Sequence, residues 1–350
     1  MQAYRKIYSG LYSRFRQTHA SLQAKRNQFK LSPFDGILSI DPIEPTSTGN
    51  ILPVTGLEKY ATCPFNYFIQ SILRAQPWEE FGYDIQVPPP IIGNIIHRTL
   101  KQLYDRLLST DSPTTDGQVV GAIIDAMEEI LETKLRRARS QCTVPQSVWT
   151  LNAASVKARL IAFIKDDLTN ITEFKYSSGE EDISYKFSYN LPESGDVMLS
   201  GRIDRIDRTA DGKAVQIIDY KTGSANAKPE RLKGGTSLQL PLYLSAMFDI
   251  DKRIDPNSSN AQYLRILPDG SIKRHSINGE QLEQIYSSLD MTVGTINTLI
   301  HRGYFPPVYS ARACDNCTSA PACHKISREK VANVAEDANL ELIRTMREDS

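Results

Sequence analysis

The amino-acid sequence predicts an α/β domain with a central sheet, in which several helices precede most of the strands. The first observation is helical spacing of apolar residues in three consecutive segments, 93–108, 118–140 and 147–174. The second is a change of period at Ile183, where apolar and polar residues begin to alternate as in a half-buried strand. This order of elements is typical of a mixed α/β layer arrangement rather than a regular βαβ repeat.

The first 48 residues are predicted to form a basic arm and a connector. Residues 1 to about 30 have helical periodicity, and the chain carries basic but no acidic side chains up to Phe34. Such an arm can follow phosphate groups, and a solvated helix packed on a separate domain is an equal alternative. Prolines between Ser32 and Pro53 then indicate an extended connector.

The remaining elements follow from local signals. Thr55 is expected to cap a helix over 56–73 that is interrupted near Cys63–Pro64, because proline breaks the intrahelical hydrogen-bond pattern. Asp211–Gly212 predicts a hairpin turn between two strands. Further elements are predicted as strands 183–189, 197–207, 214–219, 262–267 and 271–275, and as helices 237–248 and 279–302.

The composition is that of a globular protein with a sizeable core. Of 350 residues, 40% are hydrophobic, and 41 basic side chains balance 41 acidic ones, so net charge neither favours nor excludes a nucleic-acid partner. No apolar run approaches the roughly 20 residues of a membrane span, and the N-terminus lacks the apolar core of a secretory signal. The five cysteines are odd in number and clustered, which is not typical of an extracellular disulfide framework. We therefore expect a cytoplasmic protein.

Two aspartates and a lysine are the strongest candidates for chemistry. Asp204 is expected at the end of one strand and Asp219 at the end of the next, which would bring both carboxylates to one sheet edge. Lys221 follows Asp219 by two residues, so strand alternation points both side chains the same way. Carboxylates seat Mg²⁺ against a phosphate. For Asp219 and Lys221 the alternative is an ordinary surface ion pair. For Asp207 and Arg208 the alternative is a place in an ordinary turn.

An ordered series of motifs surrounds these residues. The strings are Gly201-Arg202-Ile203-Asp204, Asp219-Tyr220-Lys221-Thr222-Gly223 and Gln239-Leu240-Pro241-Leu242-Tyr243. The series resembles the RecB-like branch of the PD-(D/E)XK nuclease superfamily over roughly residues 50 to 325. That resemblance implies a restriction-endonuclease-like core, a central mixed sheet flanked by helices, with a large helical N-terminal part.

The resemblance also implies roles for individual residues. Asp204 and Asp219 match the metal-binding aspartates and Lys221 the catalytic lysine, while Gln239 and Tyr243 match a helix motif that supports the site and contacts DNA. His97, in Gly93-Asn94-Ile95-Ile96-His97, matches a histidine that is a further ligand for Mg²⁺ or Mn²⁺. Two glutamates are unaligned candidates for an additional acidic ligand, Glu173 and Glu181.

Four cysteines predict a metal clasp between remote segments. Cys314-x-x-Cys317 followed by Cys323 is thiolate spacing typical of a metal site, and Cys63 can supply a fourth ligand. On spacing alone a zinc site is favoured. The split layout resembles the iron–sulfur RecB-like nucleases, AddB-type helicase–nucleases above all, and so implies a [4Fe–4S] cluster. Cys142 stands outside this pattern.

The expected function is a Mg²⁺- or Mn²⁺-dependent deoxyribonuclease, an exonuclease on single strands or duplex ends in recombinational repair. The expected domains are the arm and connector (1–48), the nuclease domain with its clasp (49–330) and a C-terminal helix or tail (331–350). No P-loop string occurs, so a helicase motor would lie on another domain or chain. The alternative is a non-catalytic iron–sulfur or zinc DNA-binding scaffold that partners a helicase.

Overall fold

The structure is a computed structural model that describes a defined part of the chain. The described residues are 35–38, 51–75, 86–108, 117–170, 172–178, 185–191, 195–223, 235–308, 314, 317–320, 322–323 and 337–348. The predicted basic arm, most of the connector and Glu181 lie outside these residues. The predicted domain boundaries stay a prediction.

Helices dominate the first half of the described chain. In chain order, the α-helices among the described residues are α1 (Val54–Thr62), α2 (Pro64–Tyr67), α3 (Pro89–Leu108), α4 (Gly117–Arg139), α5 (Gln146–Thr169), α6 (Gln239–Ile250), α7 (Gly279–His301) and α8 (Ala338–Glu348). A π-helix, Phe68–Ile72, continues α2, and a short 3₁₀ helix, Pro256–Ser258, precedes the last two strands. No helix in the described ranges is long and apolar enough to cross a bilayer.

The strands form a three-stranded and a five-stranded sheet within the described residues. They are β1 (Ile51–Pro53), β2 (Lys175–Ser178), β3 (Tyr185–Leu191), β4 (Gly195–Gly201), β5 (Arg205–Arg208), β6 (Val215–Lys221), β7 (Asn260–Ile266) and β8 (Ile272–Asn278). The smaller sheet has the order β1-β4-β3 and the larger β2-β5-β6-β7-β8. In the larger sheet the β6–β7 pair is parallel and the other described pairs are antiparallel, so the sheet is mixed.

The chain divides into two compact units. The described residues of the first unit lie within 35–38, 56–75 and 291–348, and those of the second within 51–55 and 86–290. Both sheets and helices α3 to α6 belong to the second unit. The α/β fold with a central mixed sheet flanked by helices is confirmed.

The core of the second unit joins three helices to one face of the larger sheet. Apolar side chains of α3, α4 and α5 form one buried cluster with Ile218 and Tyr220 of β6 and Leu264 and Ile266 of β7. These strand residues alternate, as the pleat of a strand requires for one face. Helix α6 contacts the same two strands and β3. Asp219 lies between two core residues of β6, so the helical core fixes the strand that carries this carboxylate.

Three predicted boundaries are wrong. Helix α1 starts at Val54, so Thr55 lies inside the helix and is not its N-cap. Periodicity predicts one strand over 197–207, but the segment separates at 202–204 into β4 and β5, which belong to different sheets. The alternation changes phase at the break, since Ile203 and Ile206 are three residues apart, but this shift does not reveal that the two strands join different sheets. Helix α5 ends at Thr169 rather than at residue 174, because the chain turns there into β2.

The predicted turn at Gly212 and the interruption at Pro64 are confirmed, and a further glycine turn stands at Gly270. Gly212 and Gly270 have φ of 69° and 83°, the left-handed conformation that such turns need and that glycine adopts without strain. Helix α1 stops at Thr62, and Cys63 is extended (φ −162°, ψ 109°) before Pro64 starts α2. Extended backbone is what proline imposes on the preceding residue.

An aromatic cluster stabilises the first unit. Phe305 is fully buried and stacks on Phe68 and Tyr67, and the Tyr60 hydroxyl donates to the Tyr304 carbonyl at 2.5 Å. Stacked and edge-on aromatic pairs add about 0.5–1.5 kcal/mol each beyond the area that they bury. This segment before the C-terminal cysteines is therefore a packing element.

Candidate active site

Asp204 lies where the two sheets separate, in the link that leads into β5. The antiparallel ladder between β5 and β6 ends at the pair Arg205–Ile218, and the next position of that register sets Asp204 opposite Asp219. One oxygen of the Asp204 carboxylate, Oδ2, accepts a hydrogen bond from the backbone N–H of Tyr220 at 2.9 Å. This bond holds the Asp204 carboxylate beside β6.

Asp219 and Lys221 project from β6 on the side opposite the helical core cluster. Their side chains meet, with Lys221 Nζ 2.5 Å from Asp219 Oδ2, as the two-residue spacing predicts. The same ammonium donates to Gln239 Oε1 at 2.6 Å and lies 5.0 Å from the centre of the Tyr263 ring. Lys221 is therefore held in place by a carboxylate, an amide and an aromatic face.

The first turns of α6 complete this side of the site. Gln239 begins the helix, and its Nε2 lies 3.5 Å from the hydroxyl of Tyr243, one turn later. Tyr243 is buried against Gly201, the last residue of β4. A Cβ atom at Gly201 would stand 2.2 Å from Tyr243 Cε1, so only glycine permits this approach. The helix motif and the Gly201 motif are thereby packed together.

His97 reaches the site from α3, 107 residues before Asp204 in the chain. Its Nδ1 lies 3.1 Å from Asp204 Oδ1, and its ring packs edge-on against Tyr220 at 5.8 Å between centroids. Gly93, one turn earlier, allows α3 to approach Thr222 closely, since a Cβ there would be 3.2 Å from the Thr222 hydroxyl oxygen. The structure therefore brings the predicted His97 and Asp204 into contact.

Burial and mutual repulsion set the ionisation of these groups. Burial raises the pKa of Asp219 above its usual value, and the negative charge of Asp204 raises it further, against the lowering effects of Lys221 and His97. Burial lowers the pKa of His97, but the hydrogen bond and charge of Asp204 outweigh it, and the pKa is raised. The site thus concentrates two carboxylates that a cation would stabilise.

The donor set fits a hard divalent cation. Two carboxylates and an imidazole are ligands that Mg²⁺ or Mn²⁺ accepts, and the repulsion that raises the Asp219 pKa is what a bound cation relieves. Among the described residues, no three His, Cys, Asp or Glu side chains already share the spacing of a metal site. Glu173 is exposed, makes no ion pair with a described site residue, and is not drawn into this cluster.

The sequence-based predictions missed a buried ion network directly after Asp204. The Arg205 guanidinium donates to both carboxylate oxygens of Asp207 and to Asp167 Oδ2, each at 2.7 Å, and lies 4.2 Å from the centre of the Tyr104 ring. Asp207 and Arg208 are strand residues of β5, not turn residues. Arg-x-Asp inside a strand places both side chains on one face, and this signal could have found the pair.

The four clasp cysteines all lie in the first unit and are partly buried. Asn66, three residues after Cys63, accepts from Ser319 Oγ at 2.7 Å and lies 3.9 Å from Cys317 Sγ. The segment that follows Cys63 therefore packs on the C-terminal turn that carries Cys317 and Cys323. Thiols from these two segments fit an iron–sulfur cluster or zinc by their chemistry. Cys142 belongs to the second unit.

Paired carboxylates, a lysine two residues on and a supporting helix at a mixed sheet are typical of metal-dependent phosphodiesterases. A family model described as the PD-(D/E)XK nuclease superfamily matches residues 52–324, and the chain belongs to that superfamily. The predicted family and its restriction-endonuclease-like fold are confirmed.

Curated relatives carry a more specific name. A protein of Clostridioides difficile, named as a subunit of an ATP-dependent helicase/deoxyribonuclease, is 32% identical over 61% of this chain and 19% of its own length. A protein of the same name from Thermoanaerobacter sp. is 29% identical over 56% of this chain and 17% of its own length. The chain thus spans about a fifth of the length of these relatives.

A crystal structure from Eubacterium rectale, of a protein provisionally named an exonuclease, is similar with a TM-score of 0.44 and 10% identity. That similarity covers 82% of this chain and 96% of the other.

Proposed function

We propose that this chain is a divalent-metal-dependent DNA nuclease whose reacting groups gather around Asp204 and Asp219. The proposal is supported above all by one observation, the contact of His97 with Asp204 next to the contact of Lys221 with Asp219. Segments more than 100 residues apart in the chain supply these groups. A surface ion pair, the alternative for Asp-x-Lys, is at odds with an Asp219 side chain that is only 4% exposed.

In this proposal Asp204 and Asp219 would hold Mg²⁺ or Mn²⁺, with His97 as a further ligand. Such a cation, when bound, neutralises charge on the attacked phosphate and activates water. Superfamily membership supports the use of a divalent metal. The hydrogen bond from the Tyr220 backbone N–H keeps the Asp204 carboxylate oriented toward β6.

Lys221 is the side chain that we assign a direct role in the reaction besides the metal ligands. Its ammonium orients the attacking water and offsets negative charge that develops on the phosphate. Gln239 holds this ammonium at 2.6 Å, and Tyr243 fixes the helix that carries Gln239. In-line attack yields a 5′-phosphate and a 3′-hydroxyl, as the family resemblance implies. Exonucleolytic action on single strands or duplex ends in recombinational repair belongs to the same proposal.

The names of the curated relatives support a helicase partner, since both include an ATP-dependent helicase. We include in the proposal a cytoplasmic setting and a helicase domain or chain that delivers the strand. We also propose a [4Fe–4S] cluster on Cys63, Cys314, Cys317 and Cys323. The packing of Asn66 against Ser319 supports a shared site for these segments.

The test compares degradation of a single-stranded oligonucleotide in Mg²⁺ or Mn²⁺ by wild type, Asp219→Asn and Lys221→Met. The matched control is Asp249→Asn, which removes an exposed carboxylate of α6 that pairs only with Lys252 among the described residues. A cation and its ligands supply several kcal/mol, so each site variant should lose about 100-fold or more. Asp249→Asn should keep wild-type activity. Equal degradation by all four proteins would leave the non-catalytic scaffold as the remaining explanation.

A further inference from the structure

We propose that a basic cleft on helices α3 and α4 is the path of the DNA strand beside the candidate site, where its side chains bind backbone phosphates. The inference rests on the proposed function, because the same cleft is lined by His97 and Asp204. It extends the site from its reacting groups to the positively charged surface next to them. The cleft has a volume of about 690 Å³ and lies entirely within the second unit.

Positive charge dominates the lining of this cleft. Its basic residues come from α3, from α4 and from the link that precedes Asp204, and they are Arg98, Lys101, Lys134, Arg137 and Arg202. Asp204 is the one acidic residue among the described lining residues. A concave surface lined by one sign of charge focuses the field and attracts the opposite charge. The natural occupant of the cleft is therefore a polyanion.

Most of these cations have no carboxylate partner in the part of the chain that the structure describes. Lys101 pairs with Asp105 at 2.9 Å. Within the described residues, the side chains of the other four form no ion pair and no hydrogen bond, namely Arg98, Lys134, Arg137 and Arg202. Like charges gathered without counter-charges are unfavourable in the free protein. Phosphates spaced along a strand would remove that electrostatic cost, because several of them can pair with these cations at once.

Helix α4 carries basic residues that line the cleft and other basic residues that contact protein groups outside it. Lys134 and Arg137 stand three positions apart, which puts them on one face, and that face lines the cleft. Arg136 points elsewhere and lies 3.5 Å from Glu132, and Arg139 stacks over Trp149 at 5.6 Å. Favourable interaction with the helix dipole explains basic residues in a last turn. The helix dipole does not explain why Lys134 and Arg137, on the face of α4 that lines the cleft, lack protein partners in the described part of the chain.

The ligand chemistry follows from the geometry. Lysine and exposed arginine bind phosphate without reading the base, so the cleft should hold a strand of any sequence. Such contacts release counterions, and the logarithm of the binding constant then falls with the logarithm of salt concentration by about 0.7 per contact for single strands. Two contacts supplied by Lys134 and Arg137 therefore predict a measurable slope.

The experiment measures binding of a fluorescent single-stranded oligonucleotide by anisotropy over a series of salt concentrations, with EDTA present to prevent cleavage. The double variant Lys134→Gln/Arg137→Gln should bind more weakly than wild type and lower the salt slope by about 1.4. Arg136→Gln, on the same turn but outside the cleft, is the matched control and should keep the wild-type slope. The single variant Arg98→Gln, at an exposed position, should lower the salt slope by about 0.7. It provides the same test if the double variant folds poorly.

Cleavage in Mn²⁺ separates this inference from the proposed function. The double variant should have a higher KM than wild type, while kcat at saturating DNA stays within about twofold. The reason is that phosphate contacts away from the reacting bond stabilise the bound substrate and the transition state equally. If wild type cleaves DNA and the double variant matches it in salt slope and KM, the strand path is wrong and the nuclease proposal stands. If no protein cleaves but the salt slope still falls as stated, the cleft is supported and the nuclease proposal fails.

Discussion

Replacing Arg205 by methionine would remove the positive charge from the buried network on β5. The guanidinium bridges Asp207 and Asp167 with three hydrogen bonds of 2.7 Å and is about 8% exposed. Methionine is similar in length and apolar, so little packing volume is lost. The Asp207 carboxylate, however, would remain buried, and that of Asp167 partly buried, without their cation.

The expected cost follows from that imbalance. Removing one partner of a buried ion pair costs about 3–5 kcal/mol, because an uncompensated charge is left in a poorly solvated place. For a folded unit of about 150–250 residues this corresponds to a fall in Tm on the order of 10 °C. The matched control is Arg253→Met. Arg253 also binds an aspartate two residues away with two bonds, 2.9 and 3.0 Å to Asp251, but it is exposed. Its loss should leave the melting temperature unchanged.

The loss should also depend on pH. Burial raises the pKa of Asp207 above its usual value, and Arg205 opposes that rise. Without Arg205 the pKa rises further, and a carboxyl with a higher pKa in the folded than in the unfolded chain binds protons on folding. The folded variant therefore regains stability as pH falls.

Thermal or urea unfolding near pH 5 and near pH 8 checks both points, and the difference from wild type should be smaller at the lower pH. A loss below about 1 kcal/mol at pH 8, or equal losses for Arg205→Met and Arg253→Met, would refute the account of a buried network.

Two further pairs of changes give matched tests. Gly201→Ala should cost about 1–3 kcal/mol and reduce cleavage, because the added methyl overlaps the Tyr243 ring; an unchanged urea midpoint would contradict that contact. Gly121→Ala, with open space around it in α4, should instead stabilise by about 0.5–1 kcal/mol in the same assay. Cys63→Ser should abolish the iron content and brown colour of anaerobically purified protein, whereas Cys142→Ser should keep both. Colourless wild type with bound zinc would replace the iron–sulfur proposal by the zinc alternative.

Much of the candidate site was predictable because its chemistry is local in the chain. The alternation of a strand is enough to pair Asp219 with Lys221, and the 2.5 Å contact bears this out. Glycine turns and the break at Pro64 were equally predictable, since they depend on backbone preferences of single residues. Helix ends were less accurate, as for α5, because they depend on what the chain meets next.

The sequence by itself determined which residues are candidates for the chemistry and the mixed α/β character of the domain. Only the tertiary structure decided that β4 and β5 join different sheets, that His97 meets Asp204, and that cations of two helices share one cleft with them. The physical reason is that periodicity reports which face of an element is apolar. It does not report which distant element covers that face, and contacts across 107 residues are set by packing.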